Sequence, residues 1–243
     1  MVYALVDIGN SAIKAHIYKD DQLISATTIG KDMASLSIFF TAHHIQRYVV
    51  SSVVPSLNNT IKEIADDRVL FLEHRHFDSI NIDVDPVESV GIDRLVNAVA
   101  VQHIWNATAL IIDVGTAVTF CRVKKKGRYL GGMIAPGFQM MQDALHRGAE
   151  QLPLVDFPWE PPALIGQTTE SAMMSGLFYG GIAMINGIQK EFKRKDQKIA
   201  TILTGGVPEY LITHINHDVY QRDLQFDGLK IMHQKCGMAS DFK

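Results

Sequence analysis

The stretch 4-ALVDIGNSAIKAHIY-18 decides how the chain is read. Up to Val6 it has the apolar run of a buried β-strand, and from Ala12 a second strand begins. Between them stand Asp7, Gly9, Asn10 and Ser11, where a plain hairpin needs only a turn. The pattern returns as 110-LIIDVGTAVTFCRV-123, so Asp-x-Gly recurs 106 positions later at the same place in a second hairpin. A repeat of this kind predicts a duplicated unit with a ligand between its copies.

The rest of the chain fits that reading. Short β-branched runs fall at 3–8, 12–18, 22–29, 47–53, 69–72, 108–113, 116–123, 128–134 and 199–204. Helical periodicity marks 91–105, with Ile92, Leu95, Val96, Val99 and Ile104 on one face, and also 136–147 and 168–193. Gly166 precedes the last of these, and Thr168, Thr169 and Glu170 supply cap material. Strands come first in a meander and then alternate with helices, which predicts an α/β protein with mixed sheets. Two halves, 1–106 and 107–243, follow from the repeat.

Composition narrows the partners. The 243 residues are 47% hydrophobic and 20% charged, with a net charge of −3. That balance lacks the concentrated positive charge that nucleic acid or an anionic membrane selects, so neither is expected. Cys121 and Cys236 lie far apart without Cys-x-x-Cys spacing, which argues against a disulfide framework and for a reducing cytoplasm. The N-terminus opens into a strand with no basic and apolar leader. From Ser171 to Gln189 no formal charge occurs, but Asn186, Gln189 and four glycines make this a buried helix rather than a membrane span. Histidines 43, 44, 74 and 76 lack metal-binding spacing and read as surface groups, and Lys124, Lys125, Lys126 and Arg128 read as a solvated turn around Gly127. Neither Trp105 nor Trp159 has basic neighbours that would favour base stacking.

The hairpins carry the chemistry. A glycine after a strand lets a ligand approach the backbone, and turn amides with Asn, Ser or Thr donors form an anion-binding hollow. Gly9-Asn10-Ser11 and Gly115-Thr116 can each hold phosphate oxygens. A carboxylate repels phosphate unless a cation lies between them, so Asp7 and Asp113 imply metal, with Mg²⁺ held partly through the substrate. A third turn follows 199-IATILTGG-206, where Gly205 and Gly206 end a strand ahead of a helix with Tyr210 and Leu211 and let a ring or ribose approach. No Gly-x-x-x-x-Gly-Lys-Ser loop occurs, and no Gly-x-Gly-x-x-Gly follows a strand.

In order and spacing, DIGNSAIK (7–14), SSVVP (51–55), GIDR (91–94), DVGTAVT (113–119), GGMIAPGFQMMQDAL (131–145), LP (152–153), IGQTTESAMMSG (165–176) and LTGG (203–206) resemble the type III pantothenate kinases. These belong to the acetate kinase, sugar kinase, Hsp70 and actin superfamily. The resemblance implies a duplicated ribonuclease H-like, actin-like ATPase fold, mixed β-sheets with helices on both faces, and transfer of phosphate from ATP to pantothenate, the first step of coenzyme A synthesis. It further implies that Asp7, Ile8, Gly9, Asn10, Ser11, Ala12, Ile13 and Lys14 form the first phosphate loop. Lys14 is equally readable as a solvated strand lysine. Thr116 would touch ATP, and Leu203 to Gly206, including Gly205 and Gly206, would lie near the adenosine. Gly91, Ile92, Asp93 and Arg94 would bind pantothenate with Asp93 as general base, and Thr169 would contact the same substrate. Asp113 would hold a monovalent cation, K⁺ or NH₄⁺, close to a dimer contact. The segment 79-SINIDVDPVESVGIDR-94 departs from the family in lacking a tyrosine before Pro86 and in one extra residue after it.

Phosphoryl transfer has a loose transition state, so an ordinary aspartate suffices to take the hydroxyl proton. Asp93 is expected at a helix start, and Arg94 is suited to a bidentate grip on the pantothenate carboxylate. Along 168–193, Ala172, Met173, Leu177, Phe178, Ile182, Met184, Ile185 and Ile188 cover more than one face, which predicts a homodimer. Two alternatives stand beside the kinase: a sugar kinase of the same superfamily and a non-catalytic transcriptional accessory factor.

Overall fold

All nine β-branched runs form strands, and they build two sheets on one plan. The first contains β1 (Val2–Ile8), β2 (Ile13–Lys19), β3 (Gln22–Ile29), β4 (Arg47–Ser52) and β5 (Val69–Phe71), in the order β3-β2-β1-β4-β5. The second contains β7 (Ala109–Val114), β8 (Ala117–Lys124), β9 (Arg128–Pro136), β10 (Ala200–Gly205) and the short β11 (Val219–Tyr220). Its order is β11-β10-β7-β8-β9, with the two-residue β6 (Asn81–Ile82) parallel to β9 at the edge. Each sheet pairs an antiparallel hairpin with a parallel strand on the far side of the hairpin's first strand. The computed structural model describes residues 1–42, 44–158 and 160–238. His43 and Trp159, read above from sequence, lie outside the described residues.

The first boundary between compact units falls one residue from the 106/107 cut, but two later segments return to the first unit. One unit comprises Met1–Ala107, Lys124–Gly131 and the described residues from Asp223 onward; the other comprises Thr108–Val123 and Gly132–Arg222. The one-turn helix α6 (Glu209–Ile212) follows β10, and the C-terminal helix α7 (Leu224–Met238) packs on β1 and β4; chain order alone carries no information about which sheet a helix covers.

Alternation along β1 explains what each face does. Ala4, Val6 and Ile8 enter a core with Leu36 and Phe40 of α1 (Met33–Phe40) and Ile61 and Ala65 of α2 (Pro55–Ala65). The alternate residues Tyr3, Leu5 and Asp7 lie on the opposite face, where Tyr3 stacks on His233 of α7 at 3.9 Å between ring centres. The helix α3 (Ile92–Ile104) packs on α7 and β4. It is buried on more sides than a single apolar face requires, since Asn97, Ala98, Ala100 and Val101 are buried with Leu95, Val96 and Val99. Ile104, expected on the inner face, is 44% exposed because it falls in the last turn.

In the second unit Leu110, Ile112 and Val114 of β7 share a core with Phe138 of α4 (Phe138–Gly148) and with Phe178 and Ile185 of α5 (Thr169–Lys195). The alternate residue Asp113 belongs to the other face. α5 begins in a capping box between Thr168 and Ser171 and ends in Lys193, Arg194 and Lys195, whose charges suit the negative end of the helix dipole. Among the described residues no helix is long and apolar enough to cross a membrane.

Candidate active site

The two Asp-x-Gly hairpins superimpose as register, not only as sequence. Asp7 lies one pair before the end of its hairpin, which closes at Ile8 and Ile13. Asp113 likewise lies one pair before Val114 and Val118. On the parallel side Asp7 is level with Ser51, and Asp113 is level with Thr204. Each carboxylate therefore has a hydroxyl residue beside it in the next strand, and both hydroxyl residues are buried, at 0% and 2% exposure. Ser51 and Thr204 fall inside the SSVVP and LTGG motifs, but the sequence reading gave neither hydroxyl a part of its own beside the carboxylates. Their signal was their place toward the ends of the fourth and ninth strand runs.

The loop tips differ in length but are closed alike. Gly9 donates its amide to the Ala12 carbonyl at 3.0 Å, and Gly115 donates to Ala117 at 3.0 Å. The glycine amides are thus spent inside the turns, while Asn10, Ser11 and Thr116 stand at the tips, Asn10 and Ser11 exposed. Lys31 pins the first tip by donating to the Asn10 carbonyl at 2.5 Å, a contact that local sequence did not announce. Lys14 is exposed directly across from Asp7 and so shares its face of the sheet. The second tip is closed from behind by Gly137, which donates to the Thr116 carbonyl at 3.1 Å. A Cβ at Gly137 would collide with the carbonyls of Gly115 and Thr116, so no other residue can start α4 there.

Gly205 joins this second group. Its φ of +99° lies in the region that disfavours side chains, and an added Cβ would sit 2.5 Å from both Asp113 Oδ1 and the Val114 carbonyl. The structure thereby brings together Asp113, Thr116, Thr204 and Gly205 in the second unit. Gly206 is the exposed residue that follows. Thr169 is the first residue of α5 and is exposed; the cap itself comes from Thr168, whose Oγ1 accepts from the Ser171 amide at 3.1 Å.

Asp93 stands in the first turn of α3 and is partly buried. A Cβ on Gly91 would clash with Asp93 Oδ1, so the glycine of Gly-Ile-Asp-Arg is what lets the carboxylate fold back over the helix start. Burial raises the Asp93 pKa above the ordinary carboxylate value, against smaller opposing effects of the Arg94 amide, the Arg94 guanidinium and its own amide. An aspartate with ordinary titration was expected; the site supplies a more basic one. Arg94 Nη2 donates to the Ser89 carbonyl at 3.2 Å and so holds the preceding turn. That turn, Val87–Ser89, is a single 3-10 turn directly after Pro86. The imidazole of His74, read as a surface group, reaches the Val90 carbonyl at 2.8 Å and fixes the chain just before Gly91.

The donor set suits a hard cation shared with phosphate. Among the described residues no three His, Cys, Asp or Glu side chains gather into a protein-only metal cage. Single carboxylates beside phosphate-binding turns are what Mg²⁺ takes, because it keeps waters and phosphate oxygens as its other ligands.

Known proteins resemble this chain in sequence and fold. A protein from Halalkalibacterium halodurans described as a type III pantothenate kinase is 31% identical over 95% of this chain and 98% of its own. A Campylobacter jejuni structure described as a Baf family transcriptional activator superposes with a TM-score of 0.65 at 22% identity, covering 97% of this chain and 99% of that one. The AMPPNP-bound MreB5 of Spiroplasma citri gives 0.55 at 10% identity over 99% and 98% of the two chains, and at such identities the likeness establishes the fold, a duplicated actin-like one. The family model for type III pantothenate kinase matches residues 4–191, which hold both Asp-x-Gly hairpins, Gly91–Arg94 and the start of α5, and the chain belongs to that family.

Proposed function

We propose that this protein transfers the γ-phosphoryl group of ATP to the hydroxyl of pantothenate, in the cytoplasm and as a homodimer. The observation that carries the reading is the pair of equivalent hairpins, each placing one carboxylate beside a buried hydroxyl and a small-residue tip, together with a raised-pKa aspartate at Gly91–Arg94. ATP with Mg²⁺ supplies the phosphoryl group and the neutralising charge. The chain does the positioning. Asn10, Ser11 and Thr116 offer donors to phosphate oxygens, and Asp7 faces the divalent cation. The open backbone at Gly205 and Gly206 accommodates the nucleoside. Gly91, Ile92 and Arg94 hold pantothenate, with Thr169 as a further contact. Asp93 accepts the hydroxyl proton, and a carboxylate raised toward the working pH is better matched to that task. Asp113, against Gly205, holds a monovalent cation, K⁺ or NH₄⁺.

The dimer reading draws on α5. Its exposed positions Ala172, Gly176, Gly180, Ala183 and Gly187 recur every three or four residues and form a stripe of small residues, rather than the large apolar second face expected from sequence. Ile134, Leu164 and Ile165 in the same unit are 63%, 70% and 82% exposed. Such a face lets a second copy approach closely and cover apolar surface.

Coupled ADP release, measured with pantothenate, with N-acetylglucosamine and with neither, tests the assignment. Release that depends on pantothenate alone supports it; release with the sugar, or none, refutes it and favours a sugar kinase or a regulator. Activity that rises when Na⁺ is replaced by K⁺ or NH₄⁺ supports the monovalent site, and equal rates remove it.

A further inference from the structure

Gln225 comes from the first turn of α7 and lies 218 positions from Asp7 in sequence. Its Nε2 donates to Ser51 Oγ at 3.1 Å and reaches Asp7 Oδ1 at 3.5 Å. A carboxylate only accepts hydrogen bonds, so the amide nitrogen is the end that must face Asp7. The other atom of the amide, Oε1, is buried without a hydrogen-bond partner. Buried acceptors are nearly always satisfied, and one that is not marks a place for a missing partner.

Position 225 is also held firmly. Phe226 stacks on His16 of β2 at 3.5 Å between ring centres and 8° between planes. Gly228 lies so close to the Val96 carbonyl of α3 that a Cβ has no room. In the second unit the equivalent hydroxyl behaves differently: Thr204 Oγ1 donates to the main-chain carbonyl of Arg222 at 3.4 Å. The amide on Ser51 is thus a feature of the Asp7 site in its own right and not a product of the duplication.

We propose that Gln225 is a positioning residue for phosphoryl transfer. Its amide nitrogen, anchored on Ser51, orients the Asp7 carboxylate, and its Oε1 is the acceptor for the hydrated divalent cation that Asp7 faces. The proposal rests on the cation role given to Asp7 above. Groups that orient a metal-binding side chain change metal affinity by about 10–100-fold when removed.

Calorimetric titration of ADP with and without Mg²⁺ tests it on the intact protein. Gln225→Met keeps the length of the side chain and removes both polar atoms. Its apparent Mg²⁺ affinity in the ADP complex falls by about 10–100-fold, while ADP affinity without Mg²⁺ is retained and KM for pantothenate is unchanged beside a reduced kcat. A Gln225→Met protein with wild-type Mg²⁺ dependence overturns the proposal. Gln225→Glu, of the same shape, places a second carboxylate beside Asp7, so Mg²⁺ without nucleotide raises its Tm more than it raises that of the wild type. If Mg²⁺ does not raise it more, position 225 does not sense the cation and the proposal falls. A wild-type protein that binds ADP equally with and without Mg²⁺ instead refutes the role of Asp7, and the proposal goes with it.

Discussion

Replacing Gly205 by alanine should damage both stability and phosphoryl transfer, by amounts that follow from two distances. The added Cβ starts 2.5 Å from Asp113 Oδ1 and 2.5 Å from the Val114 carbonyl, with the Val114 amide at 2.8 Å. Ordinary contact is about 3.5 Å, so β7 and β10 must separate, or the carboxylate must swing, by about 1 Å. Two of the three obstructing atoms are main chain in a paired strand and cannot rotate away. The φ of +99° adds a conformational cost of about 1–3 kcal/mol for a residue with a side chain. For a domain of this size each kcal/mol lowers Tm by about 2–4 °C, so a fall of several degrees is expected. A displacement of about 1 Å at a phosphate site can reduce turnover about 10²-fold. Differential scanning fluorimetry and the ADP-release assay measure the two effects on one preparation. Gly206→Ala, exposed and without a positive φ, is the stability control. A Gly205→Ala protein with wild-type Tm and wild-type kcat/KM would show that the strand end is looser than these distances imply.

Other outcomes follow from separate parts of the molecule. Asp93→Asn should lower kcat by about 10²–10⁴-fold, and the acid limb of the wild-type pH–rate profile should lie above the ordinary carboxylate range, since burial raises Asp93. His16 and His233 are both lowered, chiefly by burial, with Lys14 adding for His16 and Arg47 and Lys230 for His233, against Asp223, Asp227 and Asp21. The unfolded chain then takes up protons first, so stability is full above pH ~6.5 and declines as pH falls from there toward the lowered folded values. Urea midpoints from pH 7.5 to 5 should show that decline, and a smaller one in His16→Phe, which keeps a ring against Phe226. Gly180→Arg, in the exposed small-residue stripe of α5, should convert a dimer to a monomer by light scattering while leaving the far-ultraviolet dichroism intact.

What could be read from sequence was what is written locally. The strands declared themselves through β-branched runs, and the Asp-x-Gly repeat announced a duplication that the register then bore out strand by strand. Two missed helices carried signals of their own: Asp32 caps α1 through the Ser35 amide, and Pro55 opens α2. Polar Asn58, Asn59 and Thr60 obscured the apolar spacing of α2. α7 was missed for a deeper reason. Gly228 weakens its local helical preference, yet glycine is there because the backbone of α3 leaves no space for a side chain. A residue chosen for a contact more than a hundred positions away cannot advertise a helix. The same holds for Gln225, whose partners Asp7 and Ser51 are set by the fold, and for His74, which meets Val90 only once the chain has turned.

That the first unit is finished by the last helix has a consequence for synthesis. Tyr3, Leu5 and Val49 emerge early, but Leu224, Phe226, Leu229 and Met232, buried side chains of the helix that covers β1 and β4, are among the last made. Translation at about 5–20 residues per second leaves this face of the sheet without its lid for about ten seconds after Ala107 is added. During that interval the nascent chain offers apolar surface to chaperones, or to other nascent chains of its own kind. A ribosome that stalls before Asp223 releases a polypeptide with both Asp-x-Gly hairpins encoded and the first still unsupported.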